Sequence, residues 1–134
     1  MISVNDVQFA FIQSLKSDSG ITGALGNNDI REDWWQGKEF AYPNLRVDVG
    51  DLTPVPAQPC DIVNFANVTI WVYGEQDSSY NVNYIAALIA NKYHEHNFTQ
   101  NSIKYRTTVV RIIAAKRQDD RTWRAGVAIS GGVK

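Results

Sequence analysis

The sequence predicts an α+β domain of order α-β-β-α-β-β, with a mainly antiparallel four-stranded sheet and two helices packed on one face. Three observations carry that expectation. Apolar residues recur at helical spacing in two stretches, 4–17 and about 79–94. Four other stretches alternate apolar and polar residues in the manner of half-buried strands. Neither an isolated amphipathic helix nor a one-sided sheet buries its apolar surface alone, so the helices belong on the sheet. The 134 residues suit one domain, 1–134, long enough for a real core and short for two.

Ser3 and Asp6 have the spacing of a capping box, with Asp in place of the usual Glu. Val4, Val7, Phe11, Ile12 and Leu15 then mark the first helix. "SDSG" ends it, and "ITGALGNN" reads as a further short turn closed by Gly26. "DIREDWWQGKEFAYP" has neither period and reads as a loop carrying Trp34 and Trp35. In "PNLRVDVGD", Leu45, Val47 and Val49 alternate with Asn44, Arg46 and Asp48. Pro54, Pro56 and Pro59 make the next connection stiff and poor in backbone donors.

"NFANVTIWVYG" places Val68, Ile70 and Val72 on one face and Thr69, Trp71 and Tyr73 on the other. Gly74 and "EQDSS" end that strand, and the second helix turns Val82, Ile85, Leu88 and Ile89 inward. "SIKYRTTVVRIIAAKR" and "TWRAGVAIS" close the chain across the polar turn "QDDR". The first of these changes its alternation between Thr107 and Ile112, which marks a bulge or a partner on both faces. The face turned away from the helices then carries Arg46, Asp48, Thr69, Trp71, Tyr73 and Arg124. An aromatic-bearing second face of this kind calls for a partner or tolerance of solvent.

Composition narrows the function classes. Apolar residues are 44% and charged residues 20%, as in a folded soluble domain. No apolar run reaches the roughly 18–20 residues of a membrane span, and the N-terminus lacks the basic and small-residue features of a signal peptide. Cys60 is the only cysteine, which excludes an internal disulfide and a cysteine-cluster zinc site. These features point to a protein made in a reducing cytoplasm. The net charge of −1 conceals an asymmetry. Residues 1–80 hold eleven acidic and four basic side chains, a balance of −7, and residues 81–134 hold three and nine, a balance of +6. Such halves either cancel within one sheet or form complementary surfaces.

Chemistry-bearing motifs are sparse. The chain has no nucleophile elbow, phosphate-binding loop, dinucleotide fingerprint or HExxH pattern. Asp119 and Asp120 suit a hairpin turn. Glu32 and Asp33 stand beside two tryptophans, where a carboxyl pKa tends to rise. His94 and His96 flank Glu95, but on a continuing helix they would lie about 200° apart and could not share a metal. They read as the end of the second helix, near the negative pole of its dipole, with Asn97 as the stop. Their titration near pH 6.5 would place them as modulators of contacts between subunits. The basic residues Lys104, Arg106, Arg111, Lys116, Arg117, Arg121 and Arg124 interleave with Tyr105 and Trp123, an arrangement that also suits a nucleic-acid surface. The sequence pI near 6.1 and their spread over both strand faces weigh against it.

The order of "AYPNLRVDVGDLTP", "ANVTIWVYGEQDSSYNVNYIAALIANKYHE" and "SIKYRTTVVRIIAAKRQDDRTWRAGVAIS" resembles the tail-terminator or tail-completion proteins of long-tailed bacteriophages. The shared features are a strand opening on a Tyr-Pro dipeptide and a second strand ending in a Trp-Val-Tyr-like triplet before a capped helix. Two strands joined by a polar turn follow. The resemblance implies a non-enzymatic virion protein of the tail and neck, assembled in the host cytoplasm and needing no cofactor or metal. It would form a homo-oligomeric ring, commonly a hexamer, that caps the tail tube and joins it to the head. Its partners would be further copies of itself, the tail-tube protein and head–tail connector proteins, with no membrane, and with DNA only as passing cargo. A head-completion or neck-connector subunit is the alternative, followed by a small nucleic-acid-binding domain. Interface candidates are Trp34, Trp35, Asp48, Asp51, Trp71, Tyr73, Arg121 and Arg124.

Overall fold

The computed structural model describes residues 2–33, 37, 41–56, 63–75, 79–119 and 122–133. Three helices are present among them: α1 Val4–Lys16, α2 Ser19–Leu25 and α3 Tyr80–Tyr93. Seven strands, β1 Ile30–Glu32, β2 Asn44–Val49, β3 Leu52–Pro54, β4 Val63–Glu75, β5 His96–Gln100, β6 Ile103–Arg117 and β7 Thr122–Val133, form one sheet. Its order is β1-β2-β4-β7-β6-β5, with β3 pairing β4 beyond the end of β2. β1 runs parallel to β2 and the remaining pairs are antiparallel, so the sheet is mixed.

The expected α+β domain of four strands and two helices is therefore corrected to a mostly β chain with a mixed, curled sheet, seven strands and three helices lying among the described residues. What was missed is short. β1 has one apolar residue, Ile30, and takes its register from β2. β5 has only Phe98, and β3 ends on Pro54. α2 carries two glycines in seven residues, too few turns to show a period. It forms because Asp18 accepts hydrogen bonds from the Gly20 and Ile21 N–H groups, and it ends at Gly26, whose φ of 75° is left-handed.

The longer elements follow their local chemistry. Ser3 Oγ accepts the Asp6 N–H at 3.2 Å while Asp6 Oδ2 accepts the Ser3 N–H at 2.8 Å, a reciprocal cap at the start of α1. α3 ends at Tyr93, and the chain turns through Glu95, at φ 45°, directly into β5. Glu95, rather than Asn97, is the stop. Thr107, fully buried, donates its hydroxyl to the Tyr93 carbonyl and accepts the His96 N–H at 3.3 Å. It thereby ties the helix end and the new strand to β6.

The helices occupy one face. Leu45 and Val47, Val68, Ile70 and Val72, and Ala125, Val127 and Ile129 are all buried there. They lie with Val7, Ala10, Phe11 and Leu15 of α1, Ile21 and Leu25 of α2, and Val82, Ile85, Ala86 and Ile89 of α3. The sheet curls around them. Phe11 packs its ring 5.7 Å from Phe65 of β4, 5.3 Å from Tyr93 of α3 and 5.3 Å from Phe98 of β5. A flat sheet would hold β4 and β5, three strand spacings apart, about 14 Å from each other.

β6 carries two irregularities, between Thr107 and Val109 and between Ile113 and Lys116. The first accounts for the change in alternation as a bulge. It lies opposite Gly131, where a Cβ would stand 2.1 Å from the Arg106 carbonyl oxygen and 2.9 Å from the Thr107 Cα. Backbone cannot move aside as a side chain could. Gly131→Val is expected to lower the free energy of unfolding by about 1–3 kcal/mol, read from the denaturant midpoint.

Candidate functional site

The cross-strand register sets out the second face row by row. Arg46 of β2 stands opposite Trp71 of β4, Trp71 opposite Gly126 of β7, and Gly126 opposite Ile113 of β6. The row on one side is Asn44, Tyr73, Arg124 and Lys116; the row on the other is Asp48, Thr69, Ala128 and Arg111. Directly opposed residues of a sheet project to the same side. Asp48, Trp71, Tyr73 and Arg124 thus lie on three adjacent strands of one surface, and all four are half-buried.

At the centre is a stack. The Arg124 guanidinium lies 4.1 Å from the centroid of the Trp71 ring, a distance at which the ring quadrupole attracts a cation. Below the indole is Gly126, where an added Cβ would meet Trp71 Cε3 and Cζ3 at 2.8 Å. The missing side chain is what lets the indole lie against the sheet, with Ile113 beside it.

Charges surround the stack. Burial raises the Asp33 carboxyl above its ordinary value, and repulsion from Asp48 adds to the rise, while Arg124 and Arg46 act against it. Asp33 therefore belongs to the same cluster, held there because its N–H donates to the Val47 carbonyl at 3.0 Å. Burial and Asp48 raise the Asp33 carboxyl, while the tryptophans expected to do so lie outside the described residues.

Arg46, expected at the surface, is 4% exposed. Its Nη1 donates to Asp29 Oδ1 at 3.0 Å and to the Leu45 carbonyl at 2.8 Å, and its Nη2 to Asp29 Oδ2 at 3.3 Å. Arg31 adds a further contact to Asp29 Oδ1 at 3.3 Å. Burial alone would raise the Asp29 carboxyl, but the bonds from Arg46 and from the Ala41 N–H outweigh it and hold the group below its ordinary value. This pair joins the start of β1 to β2 and frames one side of the second face.

The other candidates lie elsewhere. Asp51 is exposed in the turn between β2 and β3, outside these rows. Trp34, Trp35 and Arg121 fall outside the described residues. Gly126, Ile113 and Asp33 were not among the interface candidates; only the register, which the bulges set, reveals the first two.

Two further features bear on chemistry. An open depression of about 520 Å³ at the far end of the sheet is lined by Thr53, Asn64, Arg106, Thr108, Ser130 and Gly132 among others. Among the described residues no carboxylate, imidazole or thiol lines it. His94 is the exposed cap residue of α3, while His96 opens β5 with its ring stacked on Phe98. Among the described residues no three His, Cys, Asp or Glu side chains converge as metal ligands. The basic residues divide: Arg111, Lys116 and Arg124 share the second face, Arg117 lies near Trp123, and Arg106 donates to Asn97 Oδ1 at 3.3 Å.

No protein-family model matches the chain, and no curated protein sequence matches it. Among solved structures, it is similar to a chain of the virion of a native gene transfer agent (GTA) particle. The TM-score is 0.70 at 13% identity, and the match covers 95% of this chain and 93% of that one. At this identity the likeness is one of fold, and it spans both chains almost end to end.

Two predictions follow from this geometry. Asp29→Ala takes the carboxylate away from the buried Arg46 guanidinium and is expected to cost about 3–5 kcal/mol, much of it recovered when Arg46→Met is added. Denaturant unfolding of the single and double variants reads this. Second, burial, assisted by Lys92, lowers the His96 pKa below 6.5. The unfolded chain takes up a proton near pH 6.5 that the folded chain accepts only at lower pH. Stability from this group is thus full above that pH and declines as the pH falls toward the folded value. His96→Gln should flatten the stability profile as the pH falls below about 6.5.

Proposed function

We propose that this chain is a structural virion protein, a tail terminator that assembles as a homo-oligomeric ring, hexameric in order. In this reading the ring caps the tail tube, meets the head–tail connector proteins and lets DNA pass as cargo. The observation that carries the proposal is the fold shared over nearly all of both chains with a chain of the GTA virion. The order of sequence features noted above supports the finer assignment to the tail terminus. The alternative, a head-completion or neck-connector subunit, would be favoured by binding to portal-side proteins in place of tube protein.

The surface geometry is consistent with assembly. A closed ring needs heterologous contacts, one face of a subunit on a different face of the next. The second face offers an aromatic anchor, Trp71, held by Arg124 and bordered by carboxylates, and aromatic and Arg side chains are the usual anchors of interfaces. Opposed charges such as Asp48 and Arg124 would set register and steer association more than add affinity. Trp34, Trp35, Tyr73, Asp51 and Arg121 complete the proposed contact set. The proposed role is mechanical, requiring no catalytic group, metal or cofactor.

Sedimentation velocity, with and without tube protein, tests the reading. The expected result is one discrete oligomer, or one formed on tube ends. A chain that stays monomeric and ignores tube protein overturns it, and a mobility shift on DNA that weakens steeply with salt would favour the nucleic-acid reading. Trp71→Ala and Arg124→Glu are each expected to weaken assembly by at least about thirtyfold, the threshold of an interface hot spot. Unchanged assembly in both would remove this surface from the interface.

A further inference from the structure

The ladder between β5 and β6 runs only from Ile103 to Thr107, whereas β6 continues to Arg117. From Val109 to Ile113 the strand pairs with β7 on one side, and no described strand pairs with it on the other. Asn83 of α3 closes the far end of this gap, its Oδ1 accepting the Ala115 N–H at 3.1 Å. Between the two bulges there remains a short, regular strand edge with no described strand beside it.

Natural edges of this kind are normally blunted by charge, proline or cover. Here the edge is apolar. Ile112 continues the inward row of Val47, Ile70 and Val127 but emerges from under the helices, 52% exposed. Tyr84, next to Asn83, is 50% exposed. The charges that are present have one sign: Arg111 and Lys116 project on the outer face, and no acidic residue occurs between Glu95 and Asp119.

The opposite end of the same sheet is β1. It is an edge as well among the described strands; its Arg31 is ion-paired with Asp29 at 3.3 Å, and it carries Glu32 and, just beyond, Asp33. Glu32 is exposed and held in place by Gln8 Nε2 at 2.6 Å. One sheet therefore ends in a basic apolar edge on one side and an acidic edge on the other. Two unlike edges can be joined only head to tail, which is the heterologous contact that closes rings.

We infer that the Val109–Ile113 edge of β6 accepts the β1 edge of a neighbouring copy as an added strand, so that the sheets of adjacent subunits run into one another. Main-chain hydrogen bonds supply the join, Ile112 its apolar contact, and Arg111 facing Asp33 on the outer face its polarity. This inference builds on the ring reading and names its contact.

Hydrogen exchange on the full chain, comparing assembled and diluted protein, tests it. Amides 109–114 are expected to exchange at least about tenfold more slowly when assembled. Ile112→Lys, at an exposed position, should abolish assembly without moving the unfolding midpoint of the dilute monomer. Glu32→Cys with Ile112→Cys, in a Cys60→Ser background, should give disulfide-linked multimers. Assembly with an unprotected edge and an assembling Ile112→Lys variant overturns this inference and leaves the ring reading standing. A chain monomeric under all conditions overturns both. Protection that appears only when a different protein is added overturns the choice of a second copy as occupant.

Discussion

The molecule closes on Phe11. Its ring touches Phe65, Tyr93 and Phe98, so one side chain of α1 meets the middle of the sheet, its far edge and the last turn of α3. This aromatic contact requires the curl, because β4 and β5 reach it only if the strands between them bend around the helices. Phe98 in turn stacks on Tyr105 at 5.1 Å, and the Tyr93 hydroxyl bonds Ser14 at 2.9 Å. The inside of the curl is thereby filled from α1 and α3 and from three strands, β4, β5 and β6.

Once the inside is filled, the outer face must manage with its own side chains. It does so in two ways. Toward β1, Arg46 and Asp29 neutralise each other, an arrangement tolerable in a buried place because Arg46 also donates to the Leu45 carbonyl and Asp29 also accepts the Ala41 N–H. Toward β7, Trp71 lies down on Gly126 and takes Arg124 as a lid. The first arrangement is internal and complete. The second leaves half-buried aromatic and charged groups presented outward, which is why the proposed contacts belong there.

Much of this was legible from alternation alone. The long elements declared themselves, and the outward set of Asp48, Trp71, Tyr73 and Arg124 came from the period-two pattern of three strands. Exposure was harder to read. Arg46 was placed on the correct face, but its burial depends on Asp29, brought alongside by a three-residue parallel strand with no pattern of its own. The neighbours Gly126 and Ile113 depend on register, and register depends on two bulges whose positions no local pattern states exactly enough to align four strands. The helical pattern runs on through His96 in the sequence, yet a single left-handed residue, Glu95, suffices to start a strand there.

The bulge at Thr107 has a consequence for the whole C-terminal half. Before it, the residues of odd number, Tyr105 and Thr107, face the helices; after it, Val110 and Ile112, of even number, take the inward rows beside Ile129 and Val127. The extra residue reverses parity within a single strand. β6 is in effect two strands on one backbone, the first phased to close the core against β5 and Phe11, the second phased to set Arg111 and Ile113 among the outer rows. Without that half-step, a strand in register with the core would turn Arg111 and Ile113 toward the helices and Ile112 toward the outer face. The chain reconciles a closed interior with a charged exterior by a change of phase, at the cost of one glycine opposite.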